Sequence, residues 1–465
     1  MAPNRTDLDA ETRRAVESYV TEWMRENDVP GASVAVVDGE DLVYAEGFGA
    51  RDVESNAPAT PETLYGIGSC TKSFTAASVL QLAEDGRVST SDPVSDYVPR
   101  FADAPGEPIS VAELLTHSSG VPSDGYASLL IPRLTGGPYA GPPLASESDY
   151  DRHVARGAAD RVTDREEFFY YNSGYAVLGE LVAAVDGRSF ERYVGEEILD
   201  PLGMARSTFA REDFEADDDA MTPYRPGEDG PNAADFPFDE RIYAAGGLLS
   251  SVTELSRYLR AYLNGGTFDG ARVLPTERVE SMFEPRAVRQ RTADGDEQEY
   301  GYGLMVQEFL DDTLVGHGGS IGVSTAWLGF LREAGVGAVV LTNTSPAHHP
   351  MDVGAGVLAH LRGEDPAETV PREVLAAKRE AVVGDYETST GALAATVERE
   401  GGCLTLTLGE GEASQRFPLV PETLDPDDHR YRSVGPDGWD VPVRFDVDDG
   451  DPDLFVTRWR LHRVA

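Results

Sequence analysis

The chain has 465 residues, of which 82 are acidic and 39 basic, for a formal charge of −43; 40% are apolar and 9% aromatic. That is too apolar for a disordered chain and long enough for more than one core. Acidity on this scale repels a phosphate backbone and no basic stripe offsets it, which excludes nucleic acid as a partner. No apolar run reaches the roughly 18 residues that would cross a membrane.

Residues 1–28 are charged and show neither the apolar stretch nor the cleavage site of a signal peptide, so a cytoplasmic location is expected. Two cysteines, Cys70 and Cys403, are too few for a disulfide framework, and no metal or organic cofactor is expected. Residues 384–465 hold 17 acids and 8 arginines, about the same charge density as the whole, so the acidity is no tail. Only two of the basic residues are lysines, Lys72 and Lys378. Even acidity with almost no lysine suits a high-salt interior, where the Debye length falls to about 3 Å at molar salt and self-repulsion is screened.

In chain order, residues 8–26 place Val16, Val20 and Trp23 at helical spacing. Residues 32–37 and 42–45 read as strands joined by the turn Asp38-Gly-Glu-Asp41. A helix is predicted over 71–84, stopped at Gly86, with further helical stretches at 111–115, 174–185 and 190–198. Residues 119–143 and 211–240 show no clear period and are expected to wall a pocket. Strand patterns return at 313–317, 324–330 and 337–342, before a closing helix over 352–361. A chain that begins with a hairpin, turns helical and returns to strands predicts an α+β (mixed α/β) fold. One antiparallel sheet is built from both ends, flanked by helices, with a helical region inserted in sequence.

The first domain is expected to span 1–362, with a linker at 363–383 that includes a possible short helix at 374–383. A small antiparallel β-barrel or sheet over 384–465 would follow, with alternating runs at 393–398, 403–408, 441–445 and 454–460.

Three motifs carry chemistry. In Ser69-Cys-Thr-Lys72, at a helix start, the serine and the lysine three residues on share one face. Two lysines in such a chain, with serine at about 7%, would give about 0.14 such pairs by chance. A lysine of lowered pKa can take the hydroxyl proton, and the helix N-terminus offers N–H groups to an oxyanion. Tyr170-Tyr-Asn172 precedes a helix and can supply a phenol for proton shuttling and an amide for a substrate carbonyl. His317-Gly-Gly319 lies between two strands, where glycines let a ligand lie along the strand.

In this order the motifs resemble the serine β-lactamase and penicillin-binding protein superfamily, specifically its class C-type branch of β-lactamase-related esterases and D-amino-acid peptidases. Val29-Pro-Gly-Ala32, Leu114-Leu-Thr-His-Ser-Ser-Gly120, Leu199-Asp-Pro-Leu-Gly-Met204 and Ala245-Gly-Gly-Leu248 with Ser250 extend the likeness over about 350 residues. The resemblance implies that Ser69 is acylated, Lys72 helps deprotonate it and Tyr170 shuttles protons. It implies that Asn172, His317, Gly318 and Gly319 bind substrate, and that the N–H groups of Ser69 and Ser320 form the oxyanion hole. His317 stands where true β-lactamases and D,D-peptidases commonly carry lysine, which favours an ester or peptide substrate over a lactam. The last segment resembles lipocalin-like C-terminal domains of some peptidases of this branch.

Two alternatives stay open. Gly318-Gly-Ser-Ile-Gly322 matches the nucleophile elbow of α/β-hydrolases, with Ser320 as nucleophile, although a strand-like run follows where a helix is needed. A catalytically idle peptide-binding or sensor protein would also keep this fold. His348, His349 and Asp352 read as a solvated loop, His117 as a residue ordering a turn, and Cys70 as a packed thiol. The expected partner is a small-molecule or peptide substrate, and the sequence leaves oligomeric state open.

Overall fold

A computed structural model describes residues 7–464, apart from 124, 138–140, 142, 143, 145, 164–166, 228, 229, 412, 413, 436, 449 and 450. The chain divides into two units, residues 1–290 with 298–361, and residues 291–297 with 362–465.

The first unit is built on a nine-stranded sheet. Its strands are β1 (Gly31–Asp38), β2 (Asp41–Asp52), β3 (Ala57–Pro58), β4 (Ala287–Arg291), β5 (Glu297–Tyr300), β6 (Met305–Phe309), β7 (Asp312–Ser320), β8 (Thr325–Leu331) and β9 (Val336–Thr342). Their order is β4-β5-β6-β7-β8-β9-β1-β2-β3, so the early hairpin joins the late strands at β1–β9, with Ala32 opposite Thr342. The sheet is thus closed from both chain ends, as the strand pattern predicted. β4 to β6 were not legible in the pattern; β4 reads Ala-Val-Arg-Gln-Arg and is only partly covered.

Every residue of β8 is buried, as befits a strand covered on both faces. Alternation sends Trp327 to one face and Ala326, Leu328 and Phe330 to the other. On the Trp327 side packs α5 (Pro350–Arg362), where a Cβ added to Gly354 would lie 1.9 Å from the indole. The helix α1 (Ala10–Glu26) rests on α5 through Tyr19, edge-on to His360. The other face joins the main core, where α4 (Val252–Leu263) packs on β1, β8 and β9.

The helix α2 (Thr71–Glu84) follows a short turn, Gly68–Cys70, and falls where the sequence placed it. Eleven of its fourteen residues are buried, so it is a core helix without a solvent face. Phe74 stacks on Tyr258 of α4 at 3.8 Å and 10°, fixing α2 against the layer that covers the sheet. The helix α3 (Asn172–Asp186) packs beside α2.

The second unit is a closed barrel of eight antiparallel strands in sequential order: β10 (Gly384–Glu387), β11 (Ala394–Glu400), β12 (Cys403–Leu408), β13 (Gln415–Pro421), β14 (Arg430–Val434), β15 (Asp440–Asp448), β16 (Asp451–Val456) and β17 (Trp459–Arg463). Tyr386 pairs with Arg463 to close it, which leaves no free edge. Tyr386, Leu406, Tyr431, Leu454 and Leu461 fill the interior. The run 454–460, expected as one strand, is a hairpin: Thr457, at φ +52, turns the chain, and the inward positions change phase from Leu454 and Val456 to Trp459 and Leu461. The span 363–383 carries two helices, Pro366–Thr369 and α6 (Pro371–Val382). Lys378 on α6 is buried and donates to the carbonyls of Thr423 and Asp425.

Candidate active site

The turn before α2 brings Ser69 against the end of β7. Gly68 has φ +51, and a Cβ on it would lie 2.5 Å from the Ser320 nitrogen. A Cβ on Gly319 would lie 1.9 Å from the Ile67 carbonyl oxygen and 2.9 Å from the Ser69 nitrogen. Only glycine permits both the left-handed backbone and this approach of turn to strand. The N–H groups of Ser69 and Ser320 therefore belong to backbone segments in contact.

One helical turn on, Lys72 is fully buried. Its Nζ lies 3.0 Å from Ser69 Oγ, 2.7 Å from Asn172 Oδ1 and 2.7 Å from the Ala245 carbonyl oxygen. The rings of Tyr170 and Tyr175 lie 4.9 and 5.4 Å from the amine. No carboxylate is among these neighbours, so burial dominates and lowers the lysine pKa from 10.5 to about 7. Asn172 opens α3, which explains why Tyr-x-Asn sits at a helix start.

Tyr170 faces the same hydroxyl. Burial pushes its phenol well above the ordinary value, with the Ser69 hydroxyl as a hydrogen-bond neighbour that partly counters the rise. It is therefore neutral and carries its proton through the physiological range.

His317, on β7, is buried and its two nitrogens are engaged, Nε2 at 2.9 Å from the Tyr300 hydroxyl and Nδ1 with the Gly318 carbonyl. The carbonyl requires a proton on Nδ1, so Tyr300 donates to Nε2. Burial lowers the imidazole to about 3, with Lys72 adding repulsion, so no cation stands at this position at neutral pH. Tyr300, at the end of β5 and outside every motif, was not singled out by the sequence. Nor was the Ala245 oxygen, a backbone atom that no residue type announces.

Ser320 ends β7 and contacts Ser345 Oγ at 3.3 Å. The chain then turns into β8, strand–turn–strand, so the geometry of a nucleophile elbow is not formed there. His349 is no solvated loop residue. Its Nε2 donates to the Gly319 carbonyl at 3.1 Å, its Nδ1 accepts from Met351 N–H at 3.1 Å, and its ring covers Gly318. With both nitrogens committed it is unavailable to a metal, and among the described residues no cluster of three or more His, Cys, Asp or Glu could hold one. The Cys70 thiol is buried and donates to the His317 carbonyl, away from the lysine, as expected of a packed thiol.

Of the stretches expected to wall the pocket, 119–143 supplies a helix over Tyr126–Leu134, whose Ile131 approaches Gly322. The other, 211–240, supplies Phe236 against Gly66. Positions 124, 138–140, 142, 143, 228 and 229 of these stretches lie outside the described residues. Among the described residues no helix is long and apolar enough to cross a membrane.

A serine in the turn before a core helix, a buried lysine one turn on, a phenol beside them and a strand end closing the site form the arrangement of a β-lactamase-like fold. The chain belongs to the family described as Beta-lactamase, whose profile matches residues 16–361, and residues 366–462 match the Pab87 octamerisation domain. It is similar to the octameric penicillin-binding protein homologue from Pyrococcus abyssi, with 36% identity over 97% of this chain and 100% of that one and a TM-score of 0.85. A D-stereospecific amidohydrolase from Streptomyces sp. shares the fold, with 23% identity over 76% of this chain and 98% of that one and a TM-score of 0.58. Protein flp of Staphylococcus aureus (strain COL) is 24% identical over 349 residues, 74% of this chain. The chain spans 65% of that relative's length.

Proposed function

We propose that the protein is a serine hydrolase that cleaves ester or peptide-like amide bonds through an acyl-enzyme, with Ser69 as nucleophile, Lys72 as base and Tyr170 as proton shuttle. The observation that carries this reading is Lys72 Nζ at 3.0 Å from Ser69 Oγ, in surroundings that lower its pKa to about 7. A neutral amine has two N–H bonds and one lone pair. Asn172 Oδ1 and the Ala245 carbonyl accept the two N–H bonds, which aims the lone pair at the serine proton.

Attack then runs as follows. Ser69 Oγ bonds to the substrate carbonyl carbon while Lys72 takes its proton, and the carbonyl oxygen becomes an oxyanion between the N–H groups of Ser69 and Ser320. Tyr170 gives its proton to the leaving alcohol or amine as that group's bond to the carbonyl carbon breaks, and regains one from Lys72. Water enters in the reverse sense: it yields a proton to Tyr170 as Tyr170 passes its own to Lys72, its oxygen bonds to the acyl carbon, and Lys72 returns the proton to Ser69 Oγ as the acyl–Oγ bond breaks and the acid departs. The Oδ1 of Asn172 is committed to Lys72, so its Nδ2 is the half that meets a substrate carbonyl. A neutral His317 offers a substrate carboxylate no charge, which supports esters and peptide-like amides over β-lactams.

The barrel is read as the means of assembly, on the strength of its family match and of the octameric relative. Trp439 is 74% exposed and Val434 60% exposed at the β14–β15 hairpin, an apolar pair on an acidic chain that a second copy would cover. The charge of −43 and the loss of all but two lysines, both buried, support work in molar salt. The test is a panel of p-nitrophenyl esters, D- and L-amino-acid p-nitroanilides and nitrocefin in molar KCl. Turnover of esters or anilides above nitrocefin supports the reading. No turnover of any class by the wild type favours the idle binding protein.

A further inference from the structure

The residues on either side of Tyr170 are held by one distant residue. The His117 carbonyl accepts the Phe169 N–H at 3.0 Å, and its Nδ1 accepts the Tyr171 N–H at 3.0 Å. The ring of His117 lies 4.3 Å from that of Tyr170, 4.8 Å from Tyr300 and 5.1 Å from Tyr175. His117 itself stands at φ +58 and is buried. Left-handed backbone is uncommon outside glycine and persists only where the surroundings demand it.

From this two-point clamp and ring contact we infer that His117 is the positioning residue that aims the Tyr170 phenol at Ser69. The inference rests on the reading of Tyr170 as proton shuttle. Accepting from Tyr171 N–H needs a bare Nδ1, so the imidazole is neutral with its proton on Nε2; burial, and the charge of Lys72 beside it, hold its pKa well below the ordinary value. Among the described residues Nε2 meets no hydrogen-bond partner. The ring is therefore bound at one nitrogen only, the one that fixes Tyr171. A residue that merely ordered the turn after residues 111–115 would need neither that bond nor the ring contact with Tyr170.

The claim distinguishes an acceptor at the Nδ1 position from bulk or polarity alone. His117→Asn keeps an acceptor there and tolerates a left-handed backbone. His117→Gln moves its amide to the Nε2 position, and His117→Phe keeps the ring without an acceptor. With p-nitrophenyl butyrate in molar KCl, the Asn variant should keep kcat within about tenfold, while Gln and Phe lose about a hundredfold with KM within about twofold, the scale of a misplaced catalytic group. In a Tyr170→Phe background, His117→Phe should cost little more, because the group it aims is gone. Melting temperatures establish folding, and if the Phe variant does not fold, the Asn–Gln pair carries the comparison. A Gln or Phe variant as active as Asn, or a full hundredfold loss repeated in the Tyr170→Phe background, overturns the inference. Wild-type kcat in Tyr170→Phe alone overturns the shuttle reading instead.

Discussion

A lysine kept neutral by burial leaves a mark on stability that needs no substrate. Lys72 has a pKa of about 7 in the folded protein against 10.5 when unperturbed. Between those values the unfolded chain binds a proton that the folded chain does not, so stability rises with pH across this window. Below pH 7 both states hold the proton and the penalty is constant; above 10.5 neither does and it vanishes. At ~1.4 kcal/mol per factor of ten, the penalty is about 4 kcal/mol at pH 7 and about 1 kcal/mol at pH 10. Lys72→Met replaces the amine by an apolar group of similar length and removes the titration. It also orphans Asn172 Oδ1 and the Ala245 carbonyl, at a cost of about 1–3 kcal/mol each that does not depend on pH. The variant's absolute stability is thus a balance, but its slope against the wild type is not. Urea unfolding of both proteins in molar KCl at pH 7, 8, 9 and 10 should show the wild type gaining roughly 3 kcal/mol on the variant over the series. Parallel stabilities, within about 1 kcal/mol, would mean that Lys72 is protonated in the fold and would refute the argument for its lone pair.

In the proposed mechanism the same amine is the base, so its titration should set the pH dependence of turnover. Wild-type kcat/KM should climb about tenfold per pH unit below 7 and level off above 8; His317, held at about 3, is silent in this range, and Tyr170, raised by burial, adds no early descending limb. A pH–rate profile flat from 5 to 8 would remove Lys72 as base. Gly319→Ala drives a methyl to 1.9 Å from the Ile67 carbonyl and should lower kcat at least a hundredfold while melting earlier, since turn and strand must separate; an unimpaired Gly319→Ala would show that their contact does not build the oxyanion site. Trp439→Glu should shift the protein to smaller species by light scattering in molar KCl, and an unchanged mass would clear the β14–β15 hairpin of any part in assembly.

What could be read ahead of the structure follows from range. The helix at 71–84 declares itself because its start, its apolar content and Gly86 are local, and the Ser69–Lys72 spacing comes from that helix and the short turn, Gly68–Cys70, that leads into it. Cys70, next to Ser69, was legible as a packed thiol for the same reason. β4, β5 and β6 hid because a partly covered strand such as Ala-Val-Arg-Gln-Arg needs no apolar alternation. The helix Tyr126–Leu134 hid behind Gly125 and its internal Pro132. His117 and Tyr300 meet the site only through tertiary contact, 54 residues separating His117 from the amide it binds. His349 was misread because a pair of histidines beside a proline resembles a loop, whereas its ring lies on Gly318, whose missing side chain makes the room, and bonds to the Gly319 carbonyl.

The central claim is that Ser69 is the nucleophile. Incubating the wild-type protein in molar KCl with a fluorophosphonate and mapping the adduct by mass spectrometry tests it directly. The account predicts a single adduct on the peptide containing Ser69, absent from Ser69→Ala and slower to form at pH 6 than at pH 8. An adduct on Ser320, or none on the folded wild type, would contradict it.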